Sequence, residues 1–366
     1  MLKKIYITVT NDLQADQRMH KTALTLHDAG YNVCLLGRIL PESQPVERLY
    51  QTKRFRFLFN KGVLFYAAYN IRLFFFLLFH SWDIVLSCDI DSLPAGFLAS
   101  KIRRKHVVFD SHELFSEVPE IQHKPLVKSV WRWFEKLLIP RVKYMFTVSE
   151  HIAAYYHQHY GANAVVIRNL PFKTPAAHGR APEKPSHPFV LYQGALNTGR
   201  GIEKLMDAMQ YVSELSLVIA GSGPLEKHLH TKKENLNYKD RIYLPGRLNF
   251  NDLAALTSQA WLGVSLEEDK GLNYRYALPN KLFDYIKAGV PVLISDFPEM
   301  RHFVETTKTG WWISPDADAK TLADKINAVW HDKASYQQYR DNTKAAIEKH
   351  NWEKESLKQI EVFRAI

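Results

Sequence analysis

The segment of this 366-residue chain with the most chemistry in it is Leu278–Val292, LPNKLFDYIKAGVPV. Proline in the first turn starts a helix, Gly289 and Pro291 stop it, and PVLIS resumes as a buried strand. Lys281 and Asn280 fall in the first turn, where unpaired backbone N–H groups and the positive end of the dipole attract phosphate. One turn later Asp284 is placed to accept hydrogen bonds from a ribose diol, although a lysine and an aspartate on a helix are also ordinary surface residues. Gly221-Ser222-Gly223 follows the apolar run LVIA and either brings backbone close to a nucleotide or makes a plain turn. His112 comes just past the strand-like run HVVFD, with Asp110 and Glu113 near enough in sequence to orient it. Asn11, Asp12, Asp16 and Arg18 occupy the loop after the first apolar run and can reach an acceptor or a sugar with their side chains. Asp89-Ile90-Asp91 offers two carboxylates to a divalent cation, but Asp-x-Asp is frequent by chance, and no metal is expected.

Positioning these residues requires strands and helices in alternation, and the chain supplies them. Apolar runs at 4–10, 32–37, 84–88, 106–110, 144–149 and 164–168 alternate with amphipathic stretches of helical length. Such a pattern predicts an α/β fold with a parallel sheet covered on both faces. Residues 173–188 carry most of a proline-rich, aperiodic stretch and read as a linker between residues 1–172 and 189–350. A second alternating series fills 189–350, so two doubly wound domains are expected, with ligands at the carboxyl ends of strands and a cleft where the domains face each other. The last helix, 351–366, is expected to pack across the two domains.

Charge narrows the partners. The net charge is +10, and residues 1–170 hold 22 Lys and Arg against 14 Asp and Glu. No zinc spacing, helix-turn-helix signature or RNA-binding aromatic motif accompanies this excess, so nucleic acid is not expected. Basic residues are instead interleaved with large apolar ones in Arg54–Phe79 and Lys124–Lys143, as an anionic membrane surface requires. Core helices with basic solvent edges are the competing reading. Val63–Phe79 is interrupted by Asn70 and Arg72 and falls short of the roughly 20 apolar residues of a membrane span. The N-terminus lacks a signal-peptide core, and the only cysteines, Cys34 and Cys88, sit in apolar runs as buried small residues. A reducing, cytoplasmic setting is therefore expected, peripheral to the inner face of the cytoplasmic membrane.

The text around Lys281 resembles the donor-site helix of the glycosyltransferase family 4 (group 1) enzymes. TNDLQADQR, HVVFDSHELFSE, FTVSEHIAAYY and VIRNLP are similar to the N-terminal blocks of that family, and YQGALNTGRGIEKL and LVIAGSGP to its C-terminal ones. The resemblance implies a GT-B fold of two Rossmann-like domains, with the donor nucleotide in the C-terminal one and the acceptor mainly in the N-terminal one. It implies a metal-independent transfer, with retention, from a UDP- or GDP-sugar to a glycan or lipid-linked acceptor in cell-surface polysaccharide, lipopolysaccharide or capsule synthesis. Position by position, Arg200, between Gly199 and Gly201, stands where the family has a lysine on the diphosphate, and His112 matches a histidine near the reacting carbon. The family's nearby arginine falls at Ala195, and the first of its paired glutamates at Tyr276. Glu267 or Glu268, at the end of the run WLGVSL, either replaces that missing carboxylate on the donor sugar or acceptor or belongs to a solvated acidic loop. These departures keep two alternatives open, a non-hydrolysing sugar-nucleotide epimerase and a catalytically silent nucleotide-sugar-binding subunit.

Overall fold

The computed structural model describes residues 2–14, 16–173, 179 and 185–366. Residues 174–178 and 180–184, most of the expected linker, lie outside the described residues. The chain forms two compact units, Met1–Asn169 with Glu355–Ile366, and Leu170–Lys354.

The first unit runs β1 (Lys4–Asp12), α1 (Gln17–Asp28), β2 (Asn32–Arg38), β3 (Gln51–Phe55), α2 (Gly62–Phe79), β4 (Ile84–Cys88) and α3 (Asp89–Arg103). It continues with β5 (His106–Ser111), α4 (Pro119–Gln122), α5 (Pro125–Leu138), β6 (Tyr144–Thr147), α6 (Glu150–Tyr160) and β7 (Ala164–Val166). Its seven strands are all parallel, in the order β3-β2-β1-β4-β5-β6-β7. The order reverses between β1 and β4, so the loops after these strands diverge and leave a crevice at their carboxyl ends. The basic, aromatic stretch Arg54–Phe79 is divided between two elements: Gln51–Phe55 pairs with β2 as an edge strand and α2 begins only at Gly62.

The second unit runs β8 (Phe189–Gln193), α7 (Ile202–Ala208), β9 (Ser216–Ala220), α8 (Glu226–Glu234), β10 (Ile242–Gly246), α9 (Phe250–Thr257) and β11 (Leu262–Ser265). After it come α10 (Leu272–Arg275), α11 (Asn280–Lys287), β12 (Val292–Ser295), α12 (Pro298–Thr307), β13 (Gly310–Ile313), α13 (Ala319–His331) and α14 (Lys333–Lys349). Its strands are again parallel, in the order β10-β9-β8-β11-β12-β13, with the reversal between β8 and β11. Strand β8 shows why both faces need cover: Val190 and Tyr192 belong to one core layer, Phe189 and Leu191 to the other. The closing helix α15 (Trp352–Arg364) is counted with the first unit from Glu355 onward, where Phe363 packs on Tyr31 and Phe146.

Candidate functional site

In the second unit the loops after β8 and β11 meet at the switch point. The loop after β8 ends at Gly201, whose φ of +68° suits glycine and where a Cβ would lie 2.3 Å from the Leu266 carbonyl oxygen. Glu268 N–H donates to the Gly199 carbonyl at 2.8 Å and holds the two loops together. Arg200, carried between those glycines, reaches Glu267 with Nη1 3.2 Å from Oε1, its guanidinium 4.5 Å from the Tyr274 ring. Helix α11 brings Lys281 to the same oxygen at 3.0 Å, with Nζ 4.3 Å from the Tyr192 ring. Tyr285, one turn on, fixes that helix: its hydroxyl accepts from Gln193 N–H and donates to the Leu191 carbonyl, both at 3.0 Å.

Glu267 is fully buried and also accepts from the Ser265 hydroxyl at 2.8 Å. Burial alone would raise its pKa, but Lys281, Arg200 and that hydroxyl bring it down from 4.5 to about 2. Burial lowers Lys281 below the ordinary lysine range against the pull of Glu267. Two cations on one carboxylate leave an excess positive charge, held by ring faces and a buried anion, at the β8–β11 switch point.

Several sequence-assigned residues gather here. Asn280 is exposed at the start of α11, and no side chain caps the helix at Pro279. Asp284 lies on the same helix, half-buried, and accepts from Gln193 Nε2 at 3.4 Å; Gln193 is held in turn by the Thr257 hydroxyl at 2.7 Å. The two glycines around Ser222 have a structural task. A Cβ at Gly221 would lie 1.9 Å from the Gly194 carbonyl oxygen and one at Gly223 2.8 Å from Leu196 backbone, while Leu196 N–H donates to Ser222 O. This segment therefore braces the loop after β8. Glu267 binds the two cations rather than projecting toward a sugar, and Glu268 pairs with Lys270 at 3.4 Å. Tyr192 and Tyr274 were not read from the sequence. An aromatic ring beside a loop cation carries no spacing signal, whereas Glu267 at the end of a switch-point strand does.

The first unit gathers a second cluster at its own switch point. Arg18 is buried on α1 and makes a two-point contact with Asp110, Nη2 to Oδ1 at 2.8 Å and Nε to Oδ2 at 3.3 Å, with Nη1 on the Ile167 carbonyl. Asp16 caps α1 by accepting from Met19 N–H at 2.9 Å, and Asn11 Nδ2 donates to its other oxygen at 3.4 Å. The expectation that Arg18 meets a sugar or acceptor directly is corrected, because its side chain is buried and turned inward onto a buried carboxylate, whereas Asp16 is half-buried and caps its own helix. His112 Nε2 lies 3.2 Å from Asp110 Oδ2, and its backbone N–H donates to Asp89 Oδ1 at 2.8 Å. Asp89 adopts φ +54°, a conformation non-glycine residues keep only where surrounding contacts hold it.

Burial would lower the His112 pKa, but Asp110 and Asp89 outweigh it and the ring is raised above 6.5. Burial likewise opposes ionisation of Asp110, yet Arg18 and His112 hold it well below the usual carboxylate range. Asp91 turns away to accept from the Thr10 hydroxyl at 2.6 Å, and burial, with Asp89 nearby, pushes it up to about 8. Asp89 and Asp91 thus serve different partners. Cys88, Asp89 and His112 place ligand-type atoms within 4.8 Å of one another. The sulfur, however, is 3.4 Å and 3.5 Å from the two ring nitrogens, which places it over the imidazole and off the line of either lone pair.

Comparison with known proteins follows this division. The model described as Glycosyltransferase Family 4 matches residues 16–170, and that described as Glycosyl transferases group 1 matches residues 174–346. A chitobiosyldiphosphodolichol beta-mannosyltransferase of Yarrowia lipolytica is 28% identical over 131 residues, 34% of this chain and 28% of that protein. An O-antigen chain mannosyltransferase C of Escherichia coli is 24% identical over 160 residues, 44% of this chain and 42% of that protein. The chain thus spans less than half the length of both relatives. Among solved structures, sucrose-phosphate synthase from Thermosynechococcus elongatus superposes with a TM-score of 0.83 at 18% identity, over 99% of this chain and 98% of that one. Anabaena HepE in complex with UDP-glucose superposes with a TM-score of 0.74 at 14% identity, over 99% of this chain and 100% of that one. The fold is that of these GT-B structures, and the chain belongs to the group 1 glycosyltransferases.

Proposed function

We propose that this protein transfers a hexose from a nucleotide diphosphate-sugar to a glycan or lipid-linked acceptor in bacterial surface-polysaccharide synthesis. The observation that carries this reading is the meeting of Arg200 and Lys281 on the buried Glu267 at the β8–β11 switch point. A diphosphate arriving there meets cations already oriented, and needs to displace only part of their pairing with one carboxylate. The same cations stabilise charge developing on the departing nucleotide diphosphate, which is the work a divalent metal does in other transferases; the transfer is proposed to need no metal. Asn280, at the first turn of α11, adds backbone donors, and Asp284 is the proposed ribose contact. A protein in the same family fold holds UDP-glucose, which favours a UDP-sugar donor.

In the first unit His112 is the proposed catalytic group. Held by Asp110, which is itself locked by Arg18, the imidazole can hydrogen-bond a sugar hydroxyl. The resemblance to the family implies retention, and front-face substitution, with the leaving phosphate taking the acceptor proton, is the proposed course.

Substitution of the two cations tests this. Arg200→Ala and Lys281→Ala should each weaken UDP binding by about 1.5–3 kcal/mol, roughly ten- to a hundredfold, by titration calorimetry. His112→Ala should lower turnover and leave UDP binding intact. Near-parental UDP affinity in both cation variants overturns the donor site, and activity abolished by EDTA and restored by Mg²⁺ overturns the metal-free course.

A further inference from the structure

Helix α2 is apolar on nearly every side, yet it buries only one stripe. Phe65, Tyr69, Leu73 and Leu77, four residues apart, are packed inside the first unit, where the Tyr69 hydroxyl donates to the Val9 carbonyl. The opposite side presents Val63, Leu64, Ile71, Phe75 and Phe79, 52–77% exposed. An all-apolar helix in a water-soluble layer is normally covered on both sides, so this outer face lacks its cover. Helix α5 repeats the arrangement: Trp131, Glu135 and Leu138 point inward, while Leu126, Val130, Trp133 and Leu137 form a second apolar stripe outward at i, i+4, i+7 and i+11. Helix α3 packs against both and adds exposed Leu98 and Ile102, one turn apart. Tyr66 on α2 and Trp131 on α5 are in ring contact at 5.2 Å, so the faces adjoin.

Charge decides what covers this face. Arg54–Phe79 and Pro94–Lys105 contain no acidic residue, and Lys124–Lys143 contains one, Glu135, which is buried on Tyr160 and Ser116. Arg72, Lys101 and Lys136 are exposed among the apolar side chains, with Lys61, Arg104 and Lys124 at the margins. A second copy of the chain would bring cations against cations. An anionic bilayer surface supplies both complements, acyl chains for the aromatic and aliphatic stripes and phosphate for the lysines and arginines.

We propose that the outer faces of α2, α3 and α5 form one docking surface on which the first unit lies against an anionic membrane, inserted to the depth of those side chains. Helix α2 is, among the described residues, the single helix long and apolar enough to cross a bilayer by length and composition, with a mean hydropathy of 1.7 over 18 residues. Crossing would draw the Phe65–Leu77 stripe out of the core, whereas lying flat keeps it in place. This surface goes beyond the sugar-transfer reading, and would keep the first unit beside a lipid-linked acceptor.

The experiment is co-flotation of the full chain, without nucleotide, on phosphatidylcholine vesicles with and without phosphatidylglycerol. Binding should be at least roughly tenfold tighter to the anionic vesicles and should weaken as salt rises. The triple substitution Phe75→Ser, Phe79→Ser and Trp133→Ser, all at exposed positions, should cut that binding at least about tenfold at an unchanged melting temperature. The pair Arg72→Glu and Lys136→Glu should remove the preference for anionic lipid. Absence of binding to either vesicle, a preference that survives the charge reversals, or a solution dimer that the serine variant dissolves would each overturn the proposal; the last would give the face to a second copy. Because no nucleotide is present, these outcomes leave the donor-site reading to its own test.

Discussion

Replacing Glu267 by glutamine keeps the shape of the side chain and removes the charge on which Arg200 and Lys281 meet. Its carboxyl titrates near 2 instead of 4.5 even though burial works against ionisation, so the cations and the Ser265 hydroxyl overcome a desolvation penalty. The drop corresponds to about 3 kcal/mol in favour of the charged form, with no discount for solvent at a fully buried carboxylate. In Glu267→Gln that contribution disappears and two positive groups, Lys281 at 10% and Arg200 at 24% exposure, are left facing each other. Loss of about 3 kcal/mol in a unit of this size lowers Tm by roughly 6–12 °C. The depressed pKa also fixes the pH dependence: the contribution of Glu267 is complete above pH 4.5 and is lost as pH falls toward 2, a loss the variant cannot show. Removing the anion should meanwhile strengthen the attraction for a diphosphate, so saturating UDP should raise Tm more in the variant than in the parent. Differential scanning fluorimetry with and without UDP reads both effects. A variant melting within about 2 °C of the parent near neutral pH would show that the three side chains do not act as one charged cluster.

The first unit offers parallel tests. The raised pKa of His112 means that its contribution to stability is complete below 6.5 and is lost as pH rises through its folded midpoint. Asp110→Asn should move the imidazole midpoint down, and Arg18→Met should move it up, because the guanidinium opposes protonation; two-dimensional NMR of the ring distinguishes the directions, and equal midpoints would refute the assigned pairing. Both substitutions break a buried ion pair and should cost about 3–5 kcal/mol in urea unfolding. Asp91, pushed up to about 8, makes the fold progressively less stable as pH rises from 3.8 to that value, so Asp91→Asn should flatten this slope; an unchanged slope refutes the burial argument.

Much of the architecture is written in local pattern. The alternation of continuous apolar runs with amphipathic stretches identifies two parallel-sheet units because strands covered on both faces have nowhere to place polar side chains, as β8 and β9 show. Edge strand β3 escaped that logic: QTKRF is half-exposed and basic, and pairs with β2 through backbone groups that leave no mark on side-chain hydrophobicity. Similarly, Lys281 and Arg200 were legible because each sits at a helix start in a recognisable phrase, whereas Arg18 was legible as a charged loop residue but not as the partner of Asp110, 92 positions away.

Residue type and spacing by themselves therefore determined the two α/β units, the helix start that holds Lys281 and the basic, apolar character of the stretches around α2 and α5. Tertiary structure alone decided the charge pairings. Which cation faces which carboxylate depends on strand order, and the reversal at β8–β11 brings Arg200 and Glu267, 67 residues apart, to one oxygen shared with Lys281. It also decided which side of α2 is core, since a helix apolar all round gives no periodic signal and only packing inside the first unit, on α3 and at the Val9 carbonyl of β1, selects the Phe65–Leu77 stripe.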